Sequence, residues 1–155
     1  MKNSTHRRVG FSLVEIAIVV AVIALLALIA IPSFMKARRN SQNARFIGDI
    51  RVAAAAFEMY TLANNKYPPD VNPGVIPQGM ADYLAKIKWT QDTPIGGQWD
   101  WDNGQFGFTA GVSVYFGGTM DDARMTEIDA KLDDGNLATG RFRKRSGGYI
   151  YIIEF

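Results

Sequence analysis

From Phe11 to Ile31 the chain runs through 21 residues of which only Ser12 and Glu15 are not apolar. A helix of that length measures roughly 31 Å, close to the hydrocarbon thickness of a bilayer. After Pro32 the pattern changes but stays helical. Ile47, Ile50, Ala54, Phe57 and Thr61 follow one another at alternating steps of three and four, a one-sided stripe, while Arg45, Asp49, Arg51 and Glu58 fall off it. Val52–Tyr60 ("VAAAAFEMY") is rich in strong helix formers. "NNKYPPD" then stops the run, with Asn64 as a C-cap and Pro68-Pro69 barring continuation. The spacing predicts one helix from about Phe11 to Leu62, apolar all round in its first half and amphipathic in its second. Pro32 removes a backbone donor and is expected to kink this helix, the alternative being that the membrane helix simply ends there. Gly48 is a second weak point.

The remainder alternates differently. Pro77–Trp89 ("PQGMADYLAKIKW") reads as a short helix or turn-helix with Met80, Tyr83, Leu84 and Ile87 on one face. In "QWDWDNGQFGF", Asn103-Gly104 between alternating segments predicts a tight type I′ hairpin. Trp99 and Trp101 then face one way, Asp100 and Asp102 the other, and Phe106 and Phe108 continue the aromatic face. Val112–Phe116 ("VSVYF") is a further strand. "TMDDARMTEIDAKLDDGN" predicts a helix with Thr119 as N-cap, Asp121 and Asp122 in the first turn and Gly135 as C-cap. "ATGRFRK" and "YIYIIEF", joined by Ser146-Gly147-Gly148, predict a second hairpin. The expected fold class is α+β, with four or five antiparallel strands packed on the long helix.

Composition sharpens this picture at two points. The net charge is +2, but residues 1–10 hold Lys2, Arg7 and Arg8 and no acid, so 17 basic residues less these 3 leave 14 against 15 acidic ones. The basic balance belongs partly to the first ten residues and argues little for nucleic-acid binding by the rest. Cysteine is absent, which excludes disulfides, thiol catalysis and Cys-type zinc sites. The single histidine is His6; without the first ten residues the chain has neither His nor Cys, so triads of the Ser-His-Asp kind and His-ligated metals fall away. No enzyme is expected.

Three readings compete for the N-terminal segment. A cleaved secretory signal has an apolar run of 7–15 residues and an Ala-x-Ala site; here the run is longer and no such pair follows it before Ala53. A plain membrane anchor fits the length and leaves Glu15 to snorkel to the headgroups. The third reading starts from a short basic leader, Gly10, then Phe11-Ser12-Leu13-Val14-Glu15, then an apolar run ending at Pro32. This order resembles the prepilin signature of type IV pilins and type II secretion pseudopilins. "NNKYPPD" resembles the stretch after the helix in major pseudopilins, and no paired cysteines close the terminal region.

The resemblance implies cleavage by a prepilin peptidase between Gly10 and Phe11, N-methylation of Phe11, and use of Glu15 in subunit assembly. The implied domains are a leader over 1–10, a transmembrane and filament-core helix over 11–32, its amphipathic half over 33–63, and a periplasmic domain over 64–155. The implied partners are copies of the chain in a filament, the peptidase, an inner-membrane assembly platform, a cytoplasmic ATPase, and membrane lipid before assembly. The implied placement is a single pass of the bacterial inner membrane with the N-terminus cytoplasmic. The leading function is a pseudopilin of type II secretion; a type IV pilus subunit and a membrane-anchored binding module that never polymerises are the alternatives. In physical terms, cleavage creates an amine at Phe11, and a neighbour's Glu15 offers it a partner in low dielectric.

Other candidate sites have plainer readings. Asp100 and Asp102 are weak candidates for calcium, since the EF-hand template would want an acid or amide at 104 and Gly at 105, and the sequence has Gly104 and Gln105. They read instead as solvated acids of a hairpin. Asp121-Asp122 and Asp133-Asp134 read as helix-end residues. Major pseudopilins often carry a calcium loop late in the chain, and no segment here matches it clearly, so no cofactor is expected, with calcium the one left open. Arg141, Arg143 and Arg145 share a strand face and could meet phosphates, but without an aromatic comb they read as a charged sheet edge. Trp99 and Trp101 read as core rather than as a ligand groove.

Overall fold

A computed structural model describes residues 12–118 and 120–155. Six elements follow in order: α1 (Leu13–Asn64), β1 (Gln98–Asn103), β2 (Ala110–Tyr115), α2 (Asp122–Leu132), β3 (Phe142–Arg145) and β4 (Gly148–Glu154). The chain divides into two compact units, the first ending at Arg39 and the second spanning Asn40–Phe155.

In the first unit α1 is helical through Pro32, so the reading in which the membrane helix ends there is set aside. Pro32 has no N–H to give the carbonyl of Leu28, so one helical bond is missing at that turn. Large apolar side chains from Leu13 to Ile31 stand exposed, Leu28 at 71% and Ile29 at 74%.

In the second unit the C-terminal part of α1 buries the predicted stripe. Ile47, Ile50, Ala54 and Phe57 are buried, Thr61 is half-buried, and Asn43, Phe46, Ala53 and Ala56 widen the face. α1 runs up to its proposed cap, with Asn64 its last helical residue, and the next residue, Asn65, takes the left-handed conformation (φ 54°). Asn65 donates from its N–H to the Thr61 carbonyl at 2.8 Å, and asparagine meets a smaller steric penalty there than most residues.

The four strands form one antiparallel sheet in the order β1-β2-β4-β3. Trp99 and Trp101 lie opposite Val114 and Val112, and all four side chains are buried. Against this face Phe46 stacks on Trp99 with ring centroids 5.4 Å apart, and Phe57 stacks on Trp101 at 3.7 Å. The core reading of the tryptophans therefore holds. Trp89 is buried too, and its indole donates to the Val75 carbonyl at 2.8 Å, while Trp101 donates to the Pro68 carbonyl at 3.0 Å. These two bonds fasten the irregular stretch after α1 to the core.

Several local expectations are corrected. Residues 77–89 form a chain of turns rather than a helix, although Met80, Leu84 and Ile87 are buried as the pattern required. The burial signal survives because one turn of any tight backbone repeats every three to four residues. Asn103-Gly104 does not make a two-residue hairpin. Residue Asn103 pairs with Ala110, and residues 104–109 form the connection. Phe106 takes φ 53° at the tip and is exposed, so it does not continue the aromatic face. The predicted N-cap Thr119 lies outside the described residues; α2 is capped by Asp121, whose side chain accepts from the Arg124 N–H at 2.9 Å. Its C-cap is Asp133, with Gly135 at φ 80° two residues beyond. The second hairpin forms as expected, Arg145 pairing with Gly148 across Ser146-Gly147.

Candidate functional site

Three groups of side chains carry chemistry, one in the first unit and two in the second. Gly10 and Phe11, the proposed cleavage and methylation positions, lie outside the described residues. Glu15 is described, and it has a local role beyond the expected one. The Ser12 N–H donates to Glu15 Oε2 at 2.7 Å, and the Glu15 N–H donates to Ser12 Oγ at 3.2 Å. This is a capping box at the first turn of α1, and it satisfies two backbone donors that a helix start leaves orphaned. The Ser-x-x-Glu spacing in "SLVE" was the signal for it. The carboxylate also lies where the positive end of the helix dipole favours an anion. α1 is long and apolar enough to cross a membrane.

The second group lies on the sheet face opposite the tryptophans. Asp100 and Asp102 are buried, at 5% exposure each, and so is Arg145 at 9%. The solvated-hairpin reading of these acids is therefore corrected. Arg145 Nη2 donates to Asp100 Oδ2 at 2.5 Å, and its Nε lies 3.2 Å from Asp102 Oδ2. Ser113 donates to Asp102 and accepts from Arg145 Nε at 3.1 Å. Phe106 covers the guanidinium, its ring centroid 4.6 Å away. The register explains the meeting: Asp100 lies opposite Ser113 on β2, and β3, which carries Arg145, lies one strand beyond β4.

Two carboxylates share one cation there. Burial, then the charge of Asp102, lifts Asp100 to about 6, against the pull of Arg145. Burial raises Asp102 as well, opposed by its Ser113 and Arg145 contacts. Arg145 is thus engaged inside the sheet. Arg143 is half-buried with its guanidinium 5.3 Å from the Phe155 ring centroid, so Arg141, Arg143 and Arg145 do not form one open basic face.

The third group gathers at the end of α2. Carboxylate oxygens of Asp129, Asp133 and Asp134 lie within 4.8 Å of one another. Asp129 is fully buried, and neither of its carboxylate oxygens accepts a hydrogen bond of good geometry. Burial pushes Asp129 up to about 6, and the charges of Asp134 and Asp133 push in the same direction. The nearby Asn136 N–H pulls the other way, but its well-formed bond goes to Asp134. Asp133 and Asp134 do close the helix, as the sequence suggested, but they also face Asp129. Helical spacing was the available signal, since Asp129 and Asp133 are four residues apart.

A long apolar N-terminal helix whose later turns pack on a four-stranded antiparallel sheet defines the class: an α+β protein of pilin-like fold. The particular proteins it is similar to are type II secretion system core proteins G. It is 34% identical over 65 residues to that of Pectobacterium carotovorum subsp. carotovorum, covering 42% of this chain and 42% of that protein. It is 39% identical over 59 residues to that of Pseudomonas aeruginosa, covering 38% and 42%. It is 32% identical over 65 residues to that of Escherichia coli (strain K12), covering 42% and 45%. The chain thus spans less than half the length of these curated relatives. No family model matches the chain, and no solved structure matches it.

Proposed function

We propose that the chain is a structural filament subunit, a pseudopilin of a type II protein secretion system. The observation that carries this reading is the likeness to type II secretion system core proteins G in a chain that opens α1 with Ser12 and Glu15. In this reading the precursor enters the inner membrane by α1, is cut between Gly10 and Phe11, and is methylated at Phe11. An assembly platform and a cytoplasmic ATPase then feed subunits into a filament whose core is the bundled apolar helices. The exposed apolar surface of Leu13 to Ile31 exchanges lipid for neighbouring helices, and Glu15 sets the register by meeting a neighbour's Phe11 amine. The role is mechanical, so no catalytic residue is assigned.

Mass spectrometry of the purified native chain should find a methylated Phe11 at its start. Cysteine crosslinking between α1 helices in membranes should give ladders of multimers. Glu15→Ala should insert normally yet fail to form the ladder. Ser12→Ala removes the reciprocal cap and keeps the acid, so it should still assemble. Ladders from Glu15→Ala, or equal loss in Ser12→Ala, would rule out the pairing role and leave Glu15 a capping residue. Surface fibres from wild-type cells would point to a pilus instead.

A further inference from the structure

We propose that the cavity beside the Asp100–Arg145–Asp102 cluster, on the sheet face opposite the tryptophans, receives the ammonium head of a lysine side chain from a partner protein. The cavity measures about 360 Å³, and its charges do not cancel: Asp70, Asp100 and Asp102 line it against the single guanidinium of Arg145. Asp100 is 5% exposed, and only one of its two oxygens is satisfied. Its Oδ2 accepts from Arg145 Nη2 at 2.5 Å, whereas the buried Oδ1 has no hydrogen-bond partner. Buried polar atoms in native proteins are almost always satisfied, and a carboxylate oxygen left over beside an open cavity is satisfied by a cation that enters it. Asp70 adds charge from the solvent side. It is exposed, its Oδ1 accepts from the Asn103 N–H at 3.0 Å, and it is close enough for its charge to push both buried acids up.

The rest of the lining selects the kind of cation. Val71, Pro73 and Phe106 supply apolar surface, so the cavity suits a charge carried on an aliphatic stem. A bare metal ion fits poorly, since among the described residues Asp70, Asp100 and Asp102 do not converge within the reach of one ion. Lysine is preferred to arginine for a geometric reason. A guanidinium binds a carboxylate best through two parallel bonds, and Asp100 has one free oxygen because Arg145 holds the other. An ammonium is a compact point charge and needs only that one. Arg145 stays where it is, held by the Ser113 hydroxyl at 3.1 Å and by the Phe106 ring, whose centroid lies 4.6 Å from the guanidinium. The entering ammonium therefore adds a second cation to two buried acids that share one.

The test is an NMR titration of the full 15N-labelled chain in mild detergent, at about pH 7.5, above the titration of Asp100. The probe is lysine blocked at both backbone ends, Nα-acetyl-lysine-N-methylamide. The amides of Asn103, Gln105 and Phe106 should shift together and saturate, with a midpoint of about 1–10 mM, the strength expected of one charge-assisted contact in a small cavity. The same compound acetylated on Nε should give no saturable shift, and the blocked arginine should bind several-fold more weakly. Asp100→Asn should abolish saturation. The exposed Asp70→Asn leaves the buried cluster intact and keeps an oxygen for the Asn103 N–H, so it should fold normally and weaken binding by about two- to fivefold. Four results would each overturn the assignment: no saturable shift in the wild type, binding of the Nε-acetylated compound, unchanged affinity in Asp70→Asn, or binding of free cadaverine with exclusion of the blocked lysine. Filament formation is not a readout here, so failure of this site leaves the proposed function standing.

Discussion

Removing Arg145 isolates the energetics of the buried ion cluster. Its side chain is 4% exposed and those of Asp100 and Asp102 are 7% exposed, so Arg145→Met leaves two carboxylates in the interior with no cation. Breaking one partner out of a buried pair costs about 3–5 kcal/mol, roughly a fifth or more of the stability of an ordinary domain. Met roughly matches the length of the aliphatic stem under Phe106, so the loss is electrostatic rather than steric. The pH dependence has a definite sign. Asp100 is raised to about 6 in the fold against an ordinary value of 3.8, so the folded wild type binds its proton more tightly than the unfolded chain does. The part of wild-type stability that Asp100 supplies should therefore fall as pH rises from about 4 to about 6 and then level off, by up to about 3 kcal/mol. In Arg145→Met the orphaned acids take up protons more readily still, so the variant's deficit should be largest near pH 7 and shrink toward pH 4.5. Urea unfolding of the full chain in mild detergent, read by the fluorescence of Trp89, Trp99 and Trp101, measures both. Arg145→Met/Asp100→Asn/Asp102→Asn should recover most of the loss at pH 7. A cost under about 1 kcal/mol at pH 7, or one unchanged between pH 7 and 4.5, would refute the reasoning.

Three further substitutions probe the packing. Phe57→Ala deletes a fully buried ring stacked 3.7 Å from Trp101 and should cost about 3–5 kcal/mol, with a red shift of tryptophan emission; a loss below about 1 kcal/mol would show that the site collapses around the gap. Gly148→Ala drives a Cβ into the Val114 carbonyl oxygen, a backbone contact that gives way only if β2 and β4 separate, so the midpoint of urea unfolding should drop clearly and amide exchange along β2 should rise. Asp121→Ala removes the N-cap of α2 and should cost about 1 kcal/mol by the same urea assay, with Asp121→Asn close to neutral.

What could be read from the chain alone had local or periodic causes. Membrane-length apolarity, the three-and-four stripe of Ile47 to Phe57 and the alternation of Trp99 and Trp101 each repeat with one element's own geometry, so helix, stripe and core face were visible before any contact was known. The Ser12–Glu15 cap was equally local and was readable from spacing. The failures were local as well where the chain has competing options. Asn103-Gly104 favours a tight turn, but the pairing of β1 with β2 sets in beyond it, at Asn103 and Ala110, and leaves six residues to loop out. Residues 77–89 carry a helical pattern, yet three core positions fit a chain of turns as well.

Only the tertiary structure decided the charge chemistry. Arg145 is 45 residues from Asp100 along the chain, and nothing in either segment names the other. Their meeting depends on strand order, which places β4 between β2 and β3, and on burial, which turns a solvated-looking pair of acids into an ion cluster. Asp129 shows the same division. Its spacing from Asp133 is written in the sequence, but whether a carboxylate faces water or an apolar core is a property of what packs over it. Charges interact at long range with strengths set by their surroundings, so their roles emerge only when the fold has fixed the dielectric around them.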